Sequence, residues 1–396
     1  MFQLEFLLFG LTLLGVAAFH RHSLAIAACG LAAVISYQWI FAHFPEGFGW
    51  AGLVTHASHE WVILVNLLLL LVGFALVARQ FEDSRVPAVL PHYLPDDWTG
   101  AFALLVIVFV MSAFLDNIAA ALIGGAMAHT LFRARVSIGY IAAIVAASNA
   151  GGSGSVIGDT TTTMMWISGV APLQVAHAYV AAAAALLVFG VAESRRQQRF
   201  SPIMKDARVS HRIDWTRVMI VVWVLGCAVA VNVFVNLKLP QLADGFPFIG
   251  TTVALALLLT IPVRPPDWRA LPGALKGSLF LLCLVASASL MPVDSLPHAS
   301  WQSALALGFI SAGFDNIPLT ALALKQGGYD WGMLAYAVGF GGSMLWFGSS
   351  AGVAICSIYP EARSTARWLG EGWLIAVAYV AGFALLLVTL GWRPAS

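Results

Sequence analysis

Two acidic pairs stand in otherwise apolar surroundings: Asp116-Asn117 within Phe114-Leu115-Asp116-Asn117-Ile118, and Asp315-Asn316 within Gly313-Phe314-Asp315-Asn316-Ile317. Each precedes a glycine-rich decapeptide, GGSGSVIGDT at 151–160 and GGSMLWFGSS at 341–350. The two decapeptides align without a gap as GGSxxxxG followed by a polar pair, with Ser349 standing where the first copy has Asp159. Three carboxylates in apolar surroundings, Asp116, Asp159 and Asp315, can hold protons or a cation. Ser153, Ser343, Ser349, the threonines from Thr160 onward and carbonyls freed by unwinding are hard oxygen donors, suited to Na⁺ or Li⁺ rather than a soft metal. Asn117, Asn149 and Asn316 offer an amide oxygen to a cation or an amide donor to an anion, and so do not discriminate. Capping of broken helices by Asp116 and Asp315 is compatible with these roles. Thr161 to Thr163 can equally back-bond to their own helix, so only Thr160 joins the expected ligand set.

The elements that hold these residues must be membrane helices. The chain has 396 residues, 60% hydrophobic and only 10% charged, with a mean hydropathy of +0.87. A soluble chain is about 45–50% apolar and about 25% charged, so soluble enzymes, nucleic-acid binders and disordered proteins are excluded. Twenty Lys and Arg against nineteen Asp and Glu leave +1, which attracts no nucleic acid. Cys29, Cys227, Cys283 and Cys356 form no metal spacing and read as buried thiols. The N-terminus lacks a basic start and reads as a retained first span.

A helix crosses the hydrocarbon core with about 20 apolar residues. Complete spans are expected at 2–19, 24–42, 60–78, 174–192, 214–236, 247–263, 271–291 and 370–391. Two more, 137–168 and 331–360, are broken in the middle by Gly, Ser and Thr. The stretches 98–130 and 298–325 have apolar arms and an Asp-Asn tip, as re-entrant hairpins would. Asp at the bilayer centre costs about 2.5–3.5 kcal/mol, so three cost on the order of 8–10 kcal/mol unless protonated, hydrated or paired. Lys325, at the outer end of its hairpin, is the one basic residue expected near that depth.

Basic residues mark the cytoplasmic side. With the Arg-rich linker at 193–213 inside and each hairpin returning to its side of entry, seventeen of the twenty Lys and Arg fall inside, and only Lys238, Lys325 and Arg393 outside. Both termini are then outside. Each half reads as three spans, a hairpin, a broken span and a closing span, in opposite orientations. The expected organisation is a first repeat, 1–192, with scaffold helices 1–97, hairpin and broken helix 98–172 and closing helix 173–192. After the linker comes a second repeat, 214–396, with scaffold helices 214–297, hairpin and broken helix 298–362 and closing helix 367–391. Gly151, Gly152 and Gly158, with Gly341, Gly342 and Gly348, are expected to allow unwinding and close approach of the hairpins.

His59-Glu60 opens the third expected span, where a gating or proton-relay role is open. His56 and His59 have no third ligand at metal spacing. No nucleophile or metal motif points to an enzyme.

The motifs LDNIAAALIGG, SNAGGSGSVIGDTTT, DNIPL and GGSMLWFGSSAGV, with His59-Glu60, resemble the ion transporter superfamily, and within it the NhaD-type sodium/proton antiporters and related citrate transporters. The likeness covers nearly the whole chain. It implies an all-α polytopic fold, an inverted-topology repeat of about 5+5 transmembrane helices with two re-entrant hairpins and two unwound helices. It also implies an elevator-type mechanism, a homodimer, and location in a plasma membrane, the inner membrane of a bacterium. Dicarboxylate members carry Ser-Asn-Thr at their hairpin tips and proline in the broken-helix turn. Here the tips are Asp-Asn and the turn is Gly158-Asp159-Thr160. The reading is a sodium (lithium)/proton antiporter needing no cofactor, with Na⁺ at Asp116, Asp159 and Asp315. Transport of citrate or another carboxylate coupled to Na⁺ or H⁺ is the alternative.

Overall fold

A computed structural model describes residues 4–19, 22–42, 44, 47–204, 212–239, 245–293 and 296–394, the side chains of Ala17, Asn236 and Leu237 excepted. Arg21, Lys205 and Arg208, used above to orient the chain, and residues 205–211 of the expected linker lie outside the described residues. Among those described there is no strand, only an isolated bridge between Phe44 and Gly47.

The helices of the first half are α1 (Leu4–Ala18), α2 (Ser23–Phe41), α3 (Gly49–Asp83), α4 (Val86–Val89) running into a 3-10 turn at Leu90–Tyr93, α5 (Trp98–Ser112), α6 (Asn117–Leu131), α7 (Ile138–Ser153), α8 (Thr160–Ile167), α9 (Pro172–Ala176) and α10 (Ala178–Phe200). Those of the second are α11 (Trp215–Lys238), α12 (Phe248–Leu259), α13 (Leu271–Ser289), α14 (Trp301–Ser311), α15 (Asn316–Gln326), α16 (Trp331–Gly341), α17 (Ser350–Ile355) and α18 (Thr365–Leu390). Among the described residues, six stretches are long and apolar enough to cross a membrane: Ser23–Phe41, Gly49–Asp83, Pro172–Phe200, Trp215–Val235, Trp268–Ser289 and Thr365–Leu390. The chain is a polytopic membrane protein.

Several boundaries differ from those expected. α3 runs for 35 residues, because no proline interrupts it between Gly49 and Asp83. His59 and Glu60 therefore lie inside this helix and not at its start. α10 continues to Phe200, so the first eight residues of the expected linker, Glu193 to Phe200, are helical. α12 has only 12 residues and stops short of Pro262, which cannot continue a helix.

The described chain divides into two compact units. One comprises Met1–Arg79, Met219–Pro297 and Ile317–Gly327; the other comprises Gln80–Val218, His298–Asn316 and Gly328–Ser396. Gln80 to Asp97, expected among the scaffold helices, thus falls in the second unit, and most of α15 falls in the first. In the first unit Gln38 Nε2 donates to Leu290 O at 2.7 Å, His56 Nε2 lies 3.0 Å from Ser289 Oγ, and Gly250 N donates to Asn66 Oδ1 at 2.6 Å. Lys325 Nζ donates to the carbonyls of Ser289 and Met291, so its charge serves the end of α13.

The second unit is built around α7 and α16, which bury every one of their sixteen and eleven residues. Both are apolar or small all round, as a core helix must be. Side-chain caps start the elements: Asp97 accepts from Thr99 N, Ser137 from Tyr140 N, Asp330 from Met333 N and Ser364 from Arg367 N. Tyr336, Phe340 and Tyr379 stack with interplanar angles of 15° or less. Tyr379 OH reaches Leu305 O at 2.8 Å, tying α18 to α14.

Candidate functional site

Both decapeptides break their helices. α7 ends at Ser153 and α8 begins at Thr160; α16 ends at Gly341, and after a 3-10 turn α17 begins at Ser350. The six expected glycines sit where chains press together. A Cβ on Gly151 would collide with Phe109 O, and one on Gly341 with Gly308 O. Cβ atoms on Gly152 and Gly342 would crowd the carbonyls of Gly158 and Gly348, at 2.8 and 2.7 Å. Cβ atoms on Gly158 and Gly348 would strike the carbonyls of Ser112 and Ala312, at the ends of α5 and α14. The same three contacts thus recur in each half.

Asp159 stands at the N-cap position of α8 but makes no capping bond with its side chain. Its carboxylate accepts from Asn117 Nδ2 at 3.3 Å on one oxygen. On the other it accepts from Asn316 Nδ2 at 3.4 Å and Thr161 Oγ1 at 2.7 Å. Asn117 and Asn316 are the first residues of α6 and α15, so each lies at the positive end of a helix. Asp159 is 3% exposed, and no Lys, Arg or His pairs with it among the described residues. Gly339 of α16 lies against it, and a Cβ there would be 3.2 Å from Asp159 Oδ2.

Asn149 joins the two halves. Its Oδ1 accepts from Asn117 Nδ2 at 3.1 Å, while its Nδ2 donates to Ser343 Oγ at 2.9 Å and Ser349 Oγ at 3.1 Å. Ser349 also accepts from Gly352 N at 3.2 Å, capping α17. The expected residues Asn117, Asn149, Asp159, Asn316, Ser343 and Ser349 are therefore linked by one buried hydrogen-bond network.

Other expected ligands turn elsewhere. Asp116 caps α6 through Ile118 N at 3.2 Å, and Asp315 accepts from Ser350 Oγ at 3.1 Å. Both lie within electrostatic reach of Asp159. Among the described residues, however, no three His, Cys, Asp or Glu side chains converge on a point that could hold a metal ion. Asp116 turns to the start of its own helix, and Asp315 to a hydroxyl 35 residues further along the chain. Ser153 Oγ donates to Ala150 O, one turn back in its own helix. Thr160 is buried, and no hydrogen bond of its side chain is recorded. Thr162 and Thr163 back-bond to Asp159 O. His59 is exposed and Glu60 half-buried, both in the other unit, with no hydrogen-bond or ion-pair partner among the described residues.

Thr161, weighed above as a donor and set aside as able to back-bond to its helix, donates instead to the Asp159 carboxylate. Ser148, not singled out above, donates its Oγ to Asn117 O and stands beside Asn149.

No protein-family model matches the chain. A relative from Arabidopsis thaliana named sodium/proton antiporter 1 is 29% identical over 325 residues, 71% of this chain and 52% of the relative. The chain is similar to sodium/proton antiporters. Sodium/proton antiporter 2 of the same plant is 27% identical over 331 residues, 72% of this chain and 73% of the relative. This chain thus spans about half the length of the first relative and about three quarters of the second. Both relatives are named as antiporters, not enzymes, and neither is named for a carboxylate substrate.

Proposed function

We propose that this chain exchanges Na⁺, or Li⁺, for protons across a plasma membrane, and that Asp159 is the group holding one or the other. The observation carrying this reading is a buried carboxylate without a basic partner among the described residues, faced by two asparagines. With a proton the site carries no net charge; without one the carboxylate keeps its −1 charge, which the two Asn amides solvate until a cation arrives. When a cation arrives, rotation of the Asn117 and Asn316 amides would present their oxygens, and the proton would leave Asp159. Asp116 and Asp315 act on this step through their fields. The names of the relatives support sodium and protons as the exchanged ions.

The resemblance to the ion transporter superfamily supports the rest of the proposal: an inverted repeat, an elevator-type movement and a homodimer. The recurring glycine contacts are those a repeat would make. The placement of basic residues supports a cytoplasmic linker and outward termini.

The test is Na⁺-driven dissipation of a pH gradient in proteoliposomes. Asp159→Asn abolishes exchange, a loss of at least about 100-fold, as expected for removing a group used at the reacting centre. Asp116→Asn and Asp315→Asn lower it less. Full exchange by Asp159→Asn would refute the assignment.

A further inference from the structure

Outside this site, the end of α3 and the start of α11 frame a polar cleft of about 560 Å³ lined by Asp83, Arg85, Arg212, Asp214, Trp215 and Arg217. Asp214 N donates to Ser84 O at 2.9 Å, fastening the two segments together. Arg217 lies between the acids, 3.5 Å from Asp83 and 3.7 Å from Asp214, and also donates to Gln80 Oε1. Asp214 further accepts from the backbone N–H groups of Thr216 and Arg217, at 3.1 and 3.4 Å. Both carboxylates are thus engaged.

Three guanidinium groups against two carboxylates leave the cleft at +1. Arg85 and Arg212 are exposed, and no ion pair is recorded for either among the described residues. Arg85 has φ 65°, a conformation that non-glycine residues seldom adopt, and a local strain of this kind points to a constraint worth explaining.

The surroundings identify the ligand's chemistry. Trp215 is 65% exposed at the first position of α11. Met219, Val222 and Trp223 follow it at helical spacing, all exposed, so an apolar stripe leads away from the cleft. A Trp at the end of an apolar span marks the headgroup level of a bilayer. Unpaired arginines at that level fit a phosphate, which a guanidinium binds through two parallel N–H groups.

We propose that this cleft binds the phosphate of an anionic phospholipid through Arg85 and Arg212, with the acyl chains along the apolar stripe of α11. The site stands independently of the ion-exchange reading. Its test is thermal unfolding of the full chain in neutral detergent with phosphatidylglycerol, with phosphatidylcholine, or with millimolar inorganic phosphate. Phosphatidylglycerol should raise Tm by several degrees more than phosphatidylcholine does, because a ligand of the folded state stabilises it. That difference should fall by at least half in the Arg85→Gln/Arg212→Gln double variant and persist in Arg363→Gln, an exposed basic residue elsewhere. An unchanged difference in the double variant would overturn the proposal. So would a full shift with inorganic phosphate alone, which would make this a free-anion site. If the double variant does not fold, Arg212→Gln alone decides: reduction supports the lipid site, and a full shift rejects it.

Discussion

The two broken helices share a backbone frame and differ in its chemistry. In each, a glycine pair and a third glycine let the break press against the end of a preceding helix, with carbonyls where a Cβ would fall. At the residue before the following helix the copies part. Ser349 Oγ accepts from Gly352 N, an ordinary cap, and from Asn149 Nδ2. Asp159 makes no such backbone bond; its carboxylate accepts from Thr161 Oγ1 of its own helix and from the amides of Asn117 and Asn316. The second tip also brings its asparagine to the acid of the first half. The two breaks thus share a frame, and one of them carries the charge.

The largest effect that probes the shared frame is expected at the third glycines. Gly158→Ala and Gly348→Ala should each destabilise the chain by about 3 kcal/mol or more, since backbone would have to move on both sides. Thermal melts in detergent check this, and tolerance of one substitution alone would show that the frames differ. Next comes the bridge between the copies. Asn149→Ala leaves Ser343, Ser349 and Asn117 each short of a buried partner, at about 1–3 kcal/mol. The apparent affinity for Na⁺ should therefore fall by about 10–100-fold, read by Na⁺-dependent thermal stabilisation. The smallest effect separates two equivalent hydroxyls. Ser311 Oγ donates to Val338 O at 2.7 Å, whereas Ser112 Oγ, at the matching end of α5, is buried without a hydrogen-bond partner among the described residues. Ser311→Ala should cost about 1 kcal/mol and Ser112→Ala close to nothing, and equal melts for the two would remove this contrast.

Much of this was legible in residue order. An Asp-Asn pair within an apolar stretch predicts a helix start, and both pairs are helix starts; GGSxxxxG predicts a break, and both helices break there. Three features were hidden for physical reasons. The length of α3 could not be read, because Gly49 to Asp83 contains nothing that stops a helix. The choice of Thr161 over Thr160 depends on the rotational phase of the first turn of α8. The amine of Lys325, the one basic residue open to reaching the depth of the acids, finds carbonyls at the end of α13, and distant partners leave no mark in local sequence. Of the six residues gathered into the network, Asp159 stood out by its cost in the membrane, and the asparagines and serines by their place in or beside the paired motifs.

Counting protons as Na⁺ binds tests the central claim most directly. If Asp159 holds either a proton or Na⁺, adding Na⁺ to the purified chain in weak buffer releases up to one proton per ion bound. Lower pH then weakens apparent Na⁺ affinity, because protons compete for the same carboxylate; the limit is about tenfold per pH unit. Release should vanish in Asp159→Asn and persist in Ser349→Ala. Proton release from Asp159→Asn equal to that of the wild type, or Na⁺ binding without any release, would contradict the account.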